Sequence, residues 1–309
     1  MSLQTEIIQF LLAGITVGSI YALIALGFVT IYNVTGIINF AQGEFAVYGA
    51  FIAITAFQKS RLLSGNWQVA LEWPLPAAAL VGVVITTLVG ILLYRLAIQP
   101  ARRASILSMI IITIGAAFVM RGAALLLWGT DPYRLPVFTP GPPLKIFGAI
   151  LTRQSVWVIA VTAVLLVILY WFFNRTLTGK TLQACADNPK AAQLMGISPQ
   201  RMALLAFGIS SAVTAIAGIV IVPSTFMTYD RGLTLSLKGF VAAIVGGLSN
   251  PAGAVLGGIS LGVLESFGAG YLSSGYKDAI SFIVLFIVLA VRLGGFLRRR
   301  GSAGERAGL

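Results

Sequence analysis

Asn174–Arg201 reads NRTLTGKTLQACADNPKAAQLMGISPQR, and it is the one long polar interval between hydrophobic runs that has helical character. The apolar run Val156–Phe173 ends directly before it, and the apolar run Met202–Val222 begins directly after it. Asn188-Pro189 is a good helix opening, with Asn as N-cap and Pro at the first helical position, and Gly196 supplies a C-terminal stop. The pattern predicts a short helix over Pro189–Met195 and a second before it over Leu182–Ala186. Most connections between membrane helices are shorter and carry no caps, so this one is expected to be a docking element that projects from a membrane. Gly179-Lys180-Thr181 has the look of the end of a GxxxxGK[ST] phosphate loop, but that pattern needs glycine where the chain has Asn174. It also needs a strand before it, where a hydrophobic run stands. Nucleotide binding on this chain is rejected.

The composition around that segment requires the membrane. Hydrophobic residues make up 58% of the chain and charged residues 10%, with a mean hydropathy of +0.95; a soluble domain carries roughly a quarter charged residues. The net charge of +12 does not point to nucleic acid, because the basic residues fall at the ends of apolar runs, where lipid headgroups and the positive-inside rule account for them. Histidine is absent and Cys185 is the single cysteine, so disulfide frameworks, zinc sites and histidine acid–base chemistry lack their residues. Cys185 reads as a small helix residue. MSLQTEIIQF has no Lys or Arg ahead of its apolar run, so a cleaved signal peptide with a basic n-region is not expected.

Working outward, the chain reads as all-α, a polytopic integral membrane protein with about eight membrane segments including discontinuous (broken) helices, where a full crossing needs ~20 apolar residues. Ile7–Tyr32 is the first, with Gly14 and Gly18 spaced for close helix approach. Asn33–Gly43 then interrupts the apolar pattern with glycine and amide side chains before Glu44–Phe57 resumes it. Such a break is tolerated only where protein or water satisfies the freed backbone, so it is placed inside the bundle. Leu75–Ile98 and Ile106–Trp128 follow, joined by a basic turn over Gln99–Ser105. Gly129–Ser155 is irregular, with a small surface hairpin expected where Leu144–Phe147 and Ile150–Thr152 flank Gly148-Ala149. After Val156–Phe173 and Met202–Val222, Gly239–Gly270 reads as one discontinuous segment broken at Ser249-Asn250-Pro251. Its second half carries Gly253, Gly257, Gly258 and Gly262, expected to pack one face backbone to backbone. Ala279–Val291 is the last span, and an arginine-rich tail follows.

Lys and Arg divide the connections between two sides. Arg95, Arg102, Arg103, Arg175, Lys180, Lys190, Arg201 and the tail arginines Arg292, Arg298, Arg299, Arg300 and Arg306 face only Asp187 and Glu305. The other side mixes Lys59, Arg61, Arg134, Lys145, Arg153, Arg231, Lys238 and Lys277 with Glu6, Glu72, Asp131, Asp230 and Asp278. The first side is therefore expected to be the cytoplasm, with the C-terminus inside and the N-terminus outside.

Two broken segments near the two ends of a transporter usually mark its pathway. The candidates there are Asn39, Gln42, Glu44, Ser249 and Asn250, whose polar groups either satisfy the broken backbone or face a passing solute. Glu44 near a helix start is also favoured by the helix dipole. Arg121 and Glu265 sit within a turn or two of the outer ends of their helices and are expected to snorkel. No nucleophile–base pair, metal cluster or ATP motif is present, so uphill transport would draw its energy from another chain or an ion gradient. A channel or secondary transporter acting alone is the competing reading, and a docking helix at 189–195 argues against it. A membrane-embedded enzyme lacks its catalytic constellation.

Three stretches carry a resemblance: SIYALIALGFVTIYNVTGIINFAQGEFAVYGA at Ser19–Ala50, TGKTLQACADNPKAAQLMGIS at Thr178–Ser198, and GFVAAIVGGLSNPAGAVLGGISLGVLES at Gly239–Ser266. Together, in this order, they resemble the branched-chain amino acid ABC importer permease family, LivH type. The resemblance covers nearly the whole chain. It implies a single transmembrane permease domain over residues 1–309 in a bacterial inner membrane, with a cytoplasmic coupling segment at 174–201 and a periplasmic loop at 129–155. It further implies a second, related permease subunit, two cytoplasmic ATPase subunits that bind the ATP, and a periplasmic substrate-binding protein. This chain itself is then no enzyme and holds no cofactor. In the coupling segment Gly179, Ala184, Asp187, Ala191, Gly196 and Ile197 fall on the family's pattern, with Lys180 and Ala192 between them. The family often has His where this chain has Gln42. Members also serve urea, short amides and other amino acids, so the solute is less determined than the fold.

Overall fold

The structure is a computed structural model and describes residues 3–58, 60–62, 67–69, 71–102 and 104–290. Lys59, Arg103, the last residue of the final span, Val291, and the tail with Arg292, Arg298, Arg299, Arg300, Glu305 and Arg306 lie outside the described residues.

Apolar side chains all round a helix leave lipid or protein as its only acceptable surroundings, and in lipid only a helix satisfies every backbone group within itself. The elements in chain order are α1 (Leu3–Thr35), α2 (Gln42–Phe57), the short pair β1 (Ser60–Leu62) and β2 (Trp67–Val69), and α3 (Leu75–Leu93), which ends in a π turn, Tyr94–Ile98. Next come α4 (Ile106–Trp128), the hairpin β3 (Leu144–Ile146) and β4 (Ala149–Leu151), α5 (Arg153–Arg175), α6 (Leu177–Asp187) and α7 (Pro189–Leu194). They are followed by α8 (Pro199–Ile221), α9 (Arg231–Gly246), α10 (Pro251–Tyr271) and α11 (277–290). Six of these are long and apolar enough to cross a membrane: α1, α3 with its π turn, α4, α5, α8 and α10.

The bundle is built around α1, whose residues 18–31 are buried without interruption. It packs against α8, α9, α5 and most extensively α10. The contact with α10 has a specific cause. A Cβ at Gly14 or Gly18 would strike the α10 backbone at Val263 or Ile259, and a Cβ at Gly262 or Gly258 would strike the α1 backbone at Gly18 or Ala22. Four glycines thus let two antiparallel helices touch main chain to main chain, which in lipid gains dispersion that bulkier residues forbid. By contrast α3, α4 and α5 bury only a narrow stripe each, and their exposed Leu, Ile, Phe and Trp side chains suit hydrocarbon.

The four α10 glycines occupy two faces, not one as the spacing alone suggested. Gly253 and Gly257 lie against Gly246 and Ala242 of α9, while Gly258 and Gly262 face α1. This follows from a second difference. Residues 239–270 do not form one broken segment, because Gly247 turns the chain back at φ 97° and α10 returns antiparallel to α9. α9 also starts at Arg231, well before the expected apolar onset, and carries Lys238 into the bundle, where charge counting had placed it in an outer loop.

The two interrupted regions are ordered oppositely: long α1, break, short α2; then short α9, break, long α10. The long helices pack together, and the first turns of the short ones meet, Gly43 N–H donating to Ser236 Oγ at 2.6 Å. One end of the bundle gathers the start of α1, the β3–β4 hairpin and the 222–230 connection. There Gln9 brackets Ile150 with two hydrogen bonds, 2.7 Å and 3.0 Å, and Tyr133 bridges Met227. The opposite end gathers the end of α1, the π turn, α6 and α7.

Candidate functional site

At that second end, α6 and α7 form the projecting segment. α6 is longer than the expected Leu182–Ala186 because Thr176 caps it, its hydroxyl accepting from Gly179 N–H at 3.0 Å, so one residue separates the helix from the end of α5. α7 matches the expected helix to within one residue. Asn188 Oδ1 accepts from Lys190 N–H at 3.1 Å and Ala191 N–H at 3.0 Å, Pro189 stands first, and Gly196 stops it at φ 82°. Gly179 presses on the Phe172 carbonyl at the end of α5, so any side chain there would part the two helices.

The inward face of the segment is apolar. Leu182, Cys185 and Ala192 pack with Ile31, Val34, Tyr94, Ile98, Ala203 and Phe207 in one cluster. Burial pushes the Cys185 thiol up, which keeps it protonated and inert. The outward face carries Lys180, Asp187 and Ala191, with Ala184 and Ile197 half-buried between. Ala191 and Ala192 face apart: Ala191 points out and Ala192 locks α7 to the bundle. Sequence reasoning missed what else points out. Leu194 is 90% and Met195 82% exposed, with Leu177 nearby in the same segment also exposed, so a capped, rigid body ends in uncovered apolar side chains. For Leu194 the available signal was its place about 200° round α7 from Ala192, whereas Met195, the residue that caps the helix, gave none.

The interior break is a satisfied polar knot. Asn39 and Gln42 are fully buried. Gln42 Nε2 donates to Thr214 Oγ1, Ser210 Oγ donates to Gln42 Oε1 at 3.0 Å, and Asn39 Oδ1 accepts from Ala41 N–H at 3.2 Å. The partners Ser210, Thr214 and Ser236 had not been singled out; small hydroxyl residues a helical turn apart in the apolar run of α8 were the available signal. Ser249 and Asn250 lie apart from this knot, exposed at the second end of the bundle. Asn250 caps α10 by accepting from Gly253 N–H, and the Ser249 carbonyl accepts from Asn33. The five pathway candidates thus divide into a buried group and an exposed pair.

Arg121 and Glu265 do not snorkel. Glu44, 1% exposed, pairs with Arg121 through Oε1 at 2.8 Å, and its carboxylate presses on Gly232 in the first turn of α9, where the helix dipole favours it. Glu265, 0% exposed, is held by Tyr21 OH at 2.8 Å, by Ser281 Oγ and by Lys238 Nζ at 3.0 Å, and Lys238 also reaches Asp278 at 2.7 Å. Hydrocarbon gives a charge no partner, so α9 delivers Lys238 to a buried carboxylate where a membrane-facing position would not. Both networks clamp the short helix α9, one at its first turn and one further along.

The family model described as branched-chain amino acid transport system / permease component matches residues 10–289. The high-affinity branched-chain amino acid transport system permease protein BraD of Pseudomonas aeruginosa is 32% identical over 297 residues, 94% of this chain and 96% of that one. LivH of Escherichia coli K12, a permease protein with the same system description, is 32% identical over 304 residues with the same shares. A probable branched-chain amino acid transport permease of Methanocaldococcus jannaschii is 29% identical over 295 residues, 90% of this chain and 88% of that one. With the family model matched over most of its length and such identity sustained from end to end, this chain belongs to the branched-chain amino acid transport permease family.

Proposed function

We propose that this chain is one of two membrane subunits of an ATP-driven importer for branched-chain or related hydrophobic amino acids, delivered by a binding protein outside. ATP is bound and hydrolysed on separate cytoplasmic chains. The observation that carries this reading is the segment at 177–195. Its inner face is fixed to the bundle while Leu194 and Met195 stand uncovered outside it, a rigid apolar knob suited to a cleft in a partner. A transporter acting alone leaves that knob without a purpose. The relatives' description as branched-chain amino acid permeases supports the solute class. Gln42 gives no ground for another solute, since its amide is spent on Ser210 and Thr214.

Leu194→Asp and Ala191→Arg should each leave insertion and folding intact, because exposed substitutions of this kind cost the fold within about 0.5 kcal/mol. Both should strip the ATPase from the purified complex or uncouple its turnover from solute. Unchanged co-purification and unchanged solute-stimulated hydrolysis in both variants would show that the segment docks nothing.

The end of the bundle bearing Arg95, Arg102, Arg175, Lys180, Lys190 and Arg201 is the cytoplasmic one in this reading, which leaves the start of α1 and the β3–β4 hairpin outside. Lys145→Cys, at an exposed strand position, tests it in intact spheroplasts with an impermeant thiol reagent. Labelling from outside is expected; labelling only after the membrane is opened would invert the topology.

A further inference from the structure

The clamp on α9 at Lys238 borders a recess. Its floor and walls are Leu233, Leu237 and Val241 of α9 and Phe282 of α11, and Lys238 and Asp278 stand at its polar end. The volume is about 80 Å³, well below the ~300–1,000 Å³ of a closed ligand pocket, so it is part of a site and not the whole of one. The charges there are unequal. Lys238 is shared by two carboxylates, Glu265 at 3.0 Å and Asp278 at 2.7 Å, and among the described residues only Glu265 has further donors, from Tyr21 and Ser281. Asp278 is the weakly held member, its side chain 67% exposed.

An open cation–carboxylate pair beside apolar side chains, on a short helix that turns back within the bundle, does not suit hydrocarbon. It does suit a small zwitterion with an apolar tail. Such a molecule can insert between Lys238 and Asp278, its carboxylate accepting from Lys238 and its ammonium donating to Asp278, while Glu265 keeps Lys238 in place. The tail then lies on Leu233, Leu237 and Phe282. We infer that the Lys238–Asp278 recess is this subunit's half of a transit site for the amino-acid head group, completed by the second permease. The inference rests on the importer reading above and names which residues of this chain meet the solute.

The test uses the complete transporter in proteoliposomes, with leucine as the probe and the variants Asp278→Asn and Leu237→Trp. Asp278→Asn removes the ammonium's partner but leaves Lys238 paired with Glu265, so the chain should accumulate and melt as the unmodified one does. Leucine uptake should fall about tenfold or more, the worth of one charge-assisted hydrogen bond. Hydrolysis stimulated by the loaded binding protein should persist. Leu237→Trp, which fills the recess, should give the same loss. Undiminished uptake in both variants overturns the inference and leaves the importer standing. Loss of accumulation with normal transport per folded molecule makes the pair a structural clamp and also overturns it. An unmodified transporter that moves no amino acid at all removes the importer reading and this inference with it.

Discussion

Gly257→Leu is expected to abolish accumulation of the folded chain. A side chain there meets the Ala242 carbonyl, with Gly246 N at 2.8 Å and Gly246 Cα at 3.2 Å from its first carbon alone. These are backbone atoms of α9, so no rotamer change relieves the clash and the helix must move bodily. α9 packs on Glu44 at its first turn and carries Lys238 further on, so moving it disturbs the Glu44 contact and breaks the Lys238–Glu265 pair. Overpacking a core typically costs about 1–3 kcal/mol, and a helix-wide displacement exceeds that range. Gly115→Leu on α4 is the control, because nothing lies within 4 Å of a side chain there. It should accumulate normally, and normal accumulation and melting of Gly257→Leu as well would refute the packing described.

Glu44→Gln carries the second large effect. It leaves the Arg121 guanidinium beside α2 with no carboxylate, and breaking a buried pair from one side costs about 3–5 kcal/mol. Arg121 Nε already lacks a partner among the described residues, and Glu44 is the carboxylate its guanidinium is bonded to there. Thermal unfolding in detergent should show a large drop for Glu44→Gln, and the double variant Glu44→Gln, Arg121→Met should recover most of it. Equal stability of the single variant and the unmodified chain would mean that the pair does not hold α2, α4 and the first turn of α9 together.

The legible parts of this molecule are those whose physics is local. Asn188-Pro189 and Gly196 determine α7 through contacts within a few residues, and the β3–β4 hairpin follows from its own turn. The breaks at 36–41 and 247–250 were visible because glycine and amide residues interrupt apolar runs. What was not legible depends on partners distant in sequence. Glu44 and Arg121 are 77 residues apart, and nothing in either neighbourhood announces the other. Likewise the reversal at Gly247 turns a supposed single segment into the α9–α10 hairpin, and only that hairpin brings Lys238 to Glu265. Counting charges along the chain assigned Lys238 to a loop because counting has no access to the third dimension. At the projecting segment the sequence offers the residues on the family's pattern, whereas the exposure of Leu194 and Met195 is set by how the segment sits on the bundle.

On the proposed importer reading, this chain moves solute only when another chain hydrolyses ATP. The direct measurement is leucine accumulation in proteoliposomes holding this chain and the second permease, with and without the ATPase subunits, the binding protein and ATP. Accumulation against a gradient is predicted only with all of them present. Specific leucine flux through the membrane subunits alone, at the rate of the complete assembly, would contradict it.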